Sequence, residues 1–214
     1  MKKFILPLIL CLLSLGSAPA VAQSLRKATA AEQRTMVSRV NAAAKQVRSL
    51  TCDFTQTKTL SFLKDKVVSR GKMVYAQSGR LRWEYTSPYS YVLTIADGKV
   101  RIKSGKQSQQ IDLKSSKLFQ SIAQMMVGTI TGQCLKEGGN FGIEMYSGGG
   151  KMEARLTPKT RDLKAMFSSI RIRFDAAKAL PERVEMREKN GDLTVIDLKN
   201  VRQNVSVDAK AFVP

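Results

Sequence analysis

The side chains that most often do chemistry are scarce in this chain, and their spacing does not favour catalysis. No histidine occurs among the 214 residues, which removes the usual general base and the commonest metal ligand. No glycine-rich phosphate loop, serine-centred nucleophile elbow or metal-ligand spacing is found. The 17 carboxylates are dispersed, and most sit at turn or outward positions, as Asp97, Asp162 and Asp192 do. A glycosidase-type acid pair would exist only if the fold brought two of them together. Two other chemistries remain. Cys52 and Cys134 are thiols that an oxidising compartment would permit to form a disulfide, although their wide separation leaves the pairing open. The other is charge, with 36 basic residues against 17 acidic. Binding is therefore the expected class, with no catalytic residue, cofactor or metal.

The amino terminus supplies the compartment. Lys2 and Lys3 precede an apolar run from Phe4 to Leu15, and small residues follow from Gly16 to Ala22. This is the pattern of a secretory signal peptide cleaved after Ala22, and the apolar run is too short for a permanent membrane span. Cys11 follows Leu10, where a lipidation site would want a small residue. The expected mature chain is one domain, residues 23–214, a length that can bury a substantial core. Losing Lys2 and Lys3 lowers the formal charge from +19 to +17. In a cytosolic protein that would suggest nucleic acid; in an exported one it suggests anionic lipid or acidic partners, and no nucleic acid.

The elements that must position any binding site are mostly strands. In Val67 to Tyr85, Gly71, Met73 and Tyr75 share one parity and Leu81, Trp83 and Tyr85 repeat it after Ser78-Gly79. Arg70, Lys72, Arg80, Arg82 and Glu84 fall between them, so the ribbon has an oily face and a charged one. The same alternation continues at Lys99 to Lys103 and at Ile170 to Phe174, which spreads the cations over outer strand faces. Further strands begin at Cys52, Tyr89, Gln110, Phe141, Met152, Glu182 and Leu193, with Val201 to Val207 as the last. Asp97-Gly98 suits a tight hairpin, and Asn190-Gly191 is the strongest signal for a primed turn.

Two segments are helical. Thr29 to Leu50 opens with a capping box, Thr29 and Glu32, and repeats Val37, Val40, Ala44 and Val47 along one face. Ser115 to Ile130 carries Leu118, Phe119, Ile122, Met125 and Met126 at three- and four-residue steps. That methionine-rich face either caps a core or forms a movable lid, since methionine repacks easily on irregular apolar surfaces. The fold class is mainly β (α+β), with about ten strands.

The ordered set Phe54-Thr55-Gln56, Ser69-Arg70-Gly71-Lys72-Met73-Val74-Tyr75, Leu81-Arg82-Trp83, Pro88, Ile95-Ala96-Asp97-Gly98 and Leu156-Thr157-Pro158-Lys159 resembles the periplasmic outer-membrane lipoprotein carrier family, LolA. The likeness spans nearly the whole mature chain. It implies a half-open antiparallel barrel of ten to eleven strands whose concave side is closed by helices. It also implies a periplasmic monomer that takes acylated lipoproteins from an inner-membrane ABC transporter to an outer-membrane acceptor. On that view Phe54, Met73, Tyr75, Leu81, Trp83, Tyr85 and Ile143 line an acyl groove, and Leu118, Phe119, Ile122, Met125 and Met126 form its lid. Some members latch the lid with an arginine before a proline; here that neighbourhood is Ala76-Gln77-Ser78-Gly79, and Arg80 or Arg82 is the substitute candidate. The sequence ends at Pro214, short of the longer extension some carriers have. Alternatives on the same fold are a lipid or glycolipid shuttle and a sensor of mislocalised lipoproteins.

Overall fold

The strands form one antiparallel sheet built from two consecutive meanders. The computed structural model describes residues 24–63, 65–115, 117–131, 135–136 and 138–213. The first meander runs through β2 (Ser49–Thr59), β3 (Lys66–Ala76), β4 (Arg80–Ser87), β5 (Tyr91–Ala96), β6 (Lys99–Ser104) and β7 (Gln107–Asp112). The second runs through β8 (Phe141–Gly148), β9 (Lys151–Pro158), β10 (Phe167–Asp175), β11 (Pro181–Glu188) and β12 (Leu193–Gln203). Pairing of β12 with β2 joins them, and the short β1 (Arg26–Lys27) adds to β8. The outer strands β1 and β7 do not pair, so the twelve-stranded sheet curls without closing. This is a half-open barrel.

Helix α1 (Ala30–Lys45) precedes the first meander, α2 (Lys117–Thr131) links the two, and α3 (Arg161–Met166) leads into β10. The main core lies between the sheet and these helices: Val40 of α1, Ala123 and Met125 of α2 and Leu163 of α3 are buried with the inner rows of the strands.

Local chemistry explains most of these boundaries. The Thr29 side chain accepts from the Glu32 amide, and the Glu32 carboxylate accepts from the Thr29 amide at 2.8 Å. The helix stops at Lys45, earlier than its apolar spacing predicts, because Ser49 and Leu50 are taken into β2. Asp97 and Gly98 both adopt positive φ between paired Ala96 and Lys99, the geometry of a two-residue primed hairpin. At Asn190-Gly191 the outcome differs. Only Gly191 has positive φ, and the Gly191 amide donates to the Glu188 carbonyl at 3.2 Å, so the link is wider than a two-residue turn. The segments expected as two final strands are one, β12, with an irregularity between Lys199 and Arg202. At Asn204, which has positive φ, the chain leaves β12, and it ends on the convex face in a 3-10 turn, Ala209–Phe212. There Phe212 packs with Ala76 and Ala96 in a second, smaller core. Short β1 and α3 had no periodic signal long enough to find.

Gly71 shows how tightly the inner face is built. A Cβ there would lie 2.0 Å from the Glu84 carbonyl oxygen and 2.4 Å from the Phe54 ring, so only glycine lets Phe54 lie flat across β3.

Candidate functional site

The inner row of β2 reads Leu50, Cys52, Phe54, Gln56, Lys58. It passes from apolar to polar along one strand, and the neighbouring rows loosen in the same direction. On β4 Leu81 and Trp83 are buried, whereas Tyr85 is only partly so. Where the packing loosens there is a cavity of about 330 Å³, at the low end of the roughly 300–1,000 Å³ typical of ligand pockets.

Its wall and floor are apolar. Trp83, Tyr85, Tyr91 and Leu93 come from the first meander, and Phe167, Val184, Met186, Ile196 and Leu198 from the second. Its roof is one face of α2, with Ile122, Met125, Met126 and Thr129. Gln56, Lys58, Glu188 and Thr194 complete it on the polar side. There the Lys58 ammonium pairs with Glu188 at 3.0 Å and lies 3.6 Å from Asp192.

An aromatic row stiffens the wall. Phe54 and Trp83 have ring centroids 4.3 Å apart, Tyr85 meets Phe54 edge-on at 5.1 Å, and Tyr91 stacks on Tyr85 at 4.4 Å. The Tyr85 hydroxyl donates to the Gln56 amide oxygen at 2.8 Å. Burial, more than any neighbour, raises the Tyr85 phenol above its ordinary range, so it stays a neutral donor. Cys52 lies deeper in the same row, its thiol pushed up to about 12 by burial and, to a lesser degree, by Asp53. A thiol held so strongly in its neutral form is a poor nucleophile. Cys52 is free, and Cys134 lies outside the described residues, as does the whole segment 1–22. These groups offer an oily hollow with a polar rim.

This sheet-and-helix architecture is shared with known proteins. An uncharacterized conserved protein from Thermus thermophilus superposes with a TM-score of 0.52 at 9% identity, covering 86% of this chain and 93% of that one. Residues 45–214 match the family described as Outer membrane lipoprotein carrier protein LolA. The chain belongs to the LolA family. Proteins named outer-membrane lipoprotein carrier protein are similar along most of their length. The one from Methylococcus capsulatus is 25% identical over 181 residues, covering 84% of this chain and 83% of its own. That from Ralstonia nicotianae is 27% identical over 200 residues, covering 88% and 87%.

In this LolA-family chain the residues expected to line a groove separate by depth. Trp83 and Tyr85 line the cavity, and Phe54 backs them. Met73, Tyr75 and Leu81 have the same parity but are packed in the core. Ile143 lines a separate small cleft with Gln33, Arg34 and Val37. Of the expected lid, Ile122, Met125 and Met126 form the roof; Phe119 is partly buried beside them in sequence, and the Leu118 side chain lies outside those described. Arg80 and Arg82 point to the convex face. The Arg80 guanidinium lies 5.1 Å from the centre of the Phe212 ring, and Arg82 donates to the Ala211 carbonyl at 3.3 Å, so both hold the carboxyl-terminal turn and are not placed to latch α2. Sequence reasoning missed the wall given by β10, β11 and β12. The alternation of Val184 with Met186 and of Ile196 with Leu198 was visible, but nothing local said that these rows would face Trp83.

Proposed function

We propose that this protein carries the acyl chains of lipoproteins through the periplasm, sheltering them in the hollow beneath α2. The observation that carries the reading is the roof: Ile122, Met125 and Met126 cover an apolar cavity whose opposite wall is Trp83, Tyr85 and Phe167. Each buried CH₂ contributes roughly 0.8 kcal/mol, so about ten of them reach on the order of 8 kcal/mol. The hollow is too small for several chains at once, so α2 shifts outward as the ligand enters and returns when it leaves. Exchange of this kind keeps apolar surface covered in both states and keeps release feasible. On this reading residues 1–22 are an export leader, and an inner-membrane ABC transporter and an outer-membrane acceptor stand at either end of the route.

Trp83 is the only tryptophan, so its emission reports the cavity directly. Titration with an acylated peptide is expected to change that emission, and mass spectrometry of protein taken from its own periplasm is expected to find acylated polypeptide. An unchanged emission together with an empty cavity in the native protein would overturn the carrier role; free lipid in place of lipoprotein would reassign its cargo.

A further inference from the structure

Among the described residues, five of the six large apolar side chains exposed to water gather at one end of the barrel. Phe62 (76% exposed), Leu63 (49%), Val67 and Val68 belong to the β2–β3 hairpin, and Tyr89 (79%) to the β4–β5 link. Strand directions put both at the end where β11 turns into β12, because Thr59 pairs with Leu193 and Tyr85 with Tyr91. The cavity's polar side, Lys58 and Glu188, is at this end too.

The oily tip is held out by specific bonds. The Leu63 amide donates to the Leu60 carbonyl at 3.2 Å, closing a turn with Phe62 inside it. At its base the Ser61 amide donates to the Asp192 carboxylate at 2.8 Å, and the Ser61 hydroxyl to the Asn190 carbonyl at 2.9 Å. Asp192 is only 3% exposed, and the Ser61 amide is the main reason its carboxyl titrates below the usual range. A buried carboxylate thus fixes a turn whose two largest apolar side chains face solvent. Such a patch marks an interaction site.

Its surroundings say what kind. Lys66 lies beside the tip, Arg187 and Lys189 flank it on the β11–β12 side, and Lys103 and Lys106 on the β6–β7 side, all exposed. Asp65 is the exposed carboxylate among them. A protruding apolar turn between cationic turns suits a flat anionic surface, where apolar groups enter the headgroup boundary and lysines meet phosphates.

We propose that this end of the barrel docks on anionic bilayers, seating Phe62 and Leu63 among the headgroups and bringing the polar side of the cavity to the membrane. It would let the protein exchange cargo with a bilayer itself. Docking as such does not depend on what fills the cavity.

The test is sedimentation of the exported, leader-free protein with vesicles of phosphatidylethanolamine and phosphatidylglycerol, beside neutral phosphatidylcholine vesicles. Binding to the anionic vesicles is expected, weakened by salt, and about tenfold weaker in Phe62→Ser/Leu63→Ser. Lys66→Glu/Lys189→Glu should weaken it similarly, which keeps the test open if the first pair misfolds. Trp83 emission on adding an acylated peptide should be unchanged in both variants. Failure of the native protein to sediment, equal binding by the variants, or equal salt-insensitive binding to neutral vesicles would overturn the proposal. Sedimentation by a protein whose Trp83 ignores the acylated peptide would support docking and count against the carrier reading alone.

Discussion

Helices α1 and α2 cover the same concave face and are attached to it differently. Polar ties pin α1. Its capping box is reinforced by Arg26, which donates to the Glu32 carboxylate at 2.9 Å, while the Gln33 side chain accepts from the Met145 amide at 3.1 Å. Arg39 reaches the Ala177 carbonyl, also at 3.1 Å. Over the hollow α2 presents Ile122, Met125, Met126 and Thr129, and its first turn has no acid and its last turn no base. A helix fixed by directional bonds has one seat. Methionine side chains over a hollow have several arrangements of similar energy, because apolar contact is not directional. On the function proposed above, the contrast gives α1 to stability and α2 to ligand exchange.

Substitutions should separate the two roles. The largest effect is expected from Val40→Ala on α1, since Val40 is only 1% exposed; the cavity left behind should cost about 2 kcal/mol in chemical denaturation, with acyl-peptide affinity nearly intact. Next comes Met126→Arg on α2, where a cation in the roof should weaken binding of the acylated peptide roughly tenfold by Trp83 titration and barely move the melting temperature. Equal loss of stability and binding in both variants would erase the distinction. Thr29→Ala should remove about 1 kcal/mol of stability by deleting the cap, again without touching ligand binding.

The smallest effect concerns pH. Arg26, and then the Thr29 amide, hold the Glu32 carboxyl down to about 2 from an ordinary 4.5. A depressed carboxylate stabilises the fold above its unfolded value and loses that contribution as pH falls toward the folded one. The melting-temperature gap between the native protein and Glu32→Gln should therefore be constant above about pH 5 and close between there and pH 2. A gap that widens on acidification would contradict the tie.

How much of this was legible beforehand varies with distance along the chain. The capping box and Asp97-Gly98 are local and were readable, because a few adjacent residues decide their geometry. Asn190-Gly191 was half-readable: Gly191 takes positive φ, but Asp192 is committed to Ser61, 131 residues away in sequence, and that tie accompanies a wider loop. Arg82 shows the same limit, since its partner Ala211 lies 129 positions on.

By itself the sequence determined which side chains share a face. Alternation forces Met73, Tyr75, Leu81, Trp83 and Tyr85 inward and leaves Arg80 and Arg82 outward, whatever else the chain does. Period two carries no information about depth along the strand or about what lies opposite. Only the tertiary structure decided that Leu81 is core and Tyr85 is cavity wall, and that β12 against β2 brings Ile196 and Leu198 round to the same hollow. The hollow is formed between two meanders, and its position depends on where curvature and the α2 crossover leave the packing incomplete.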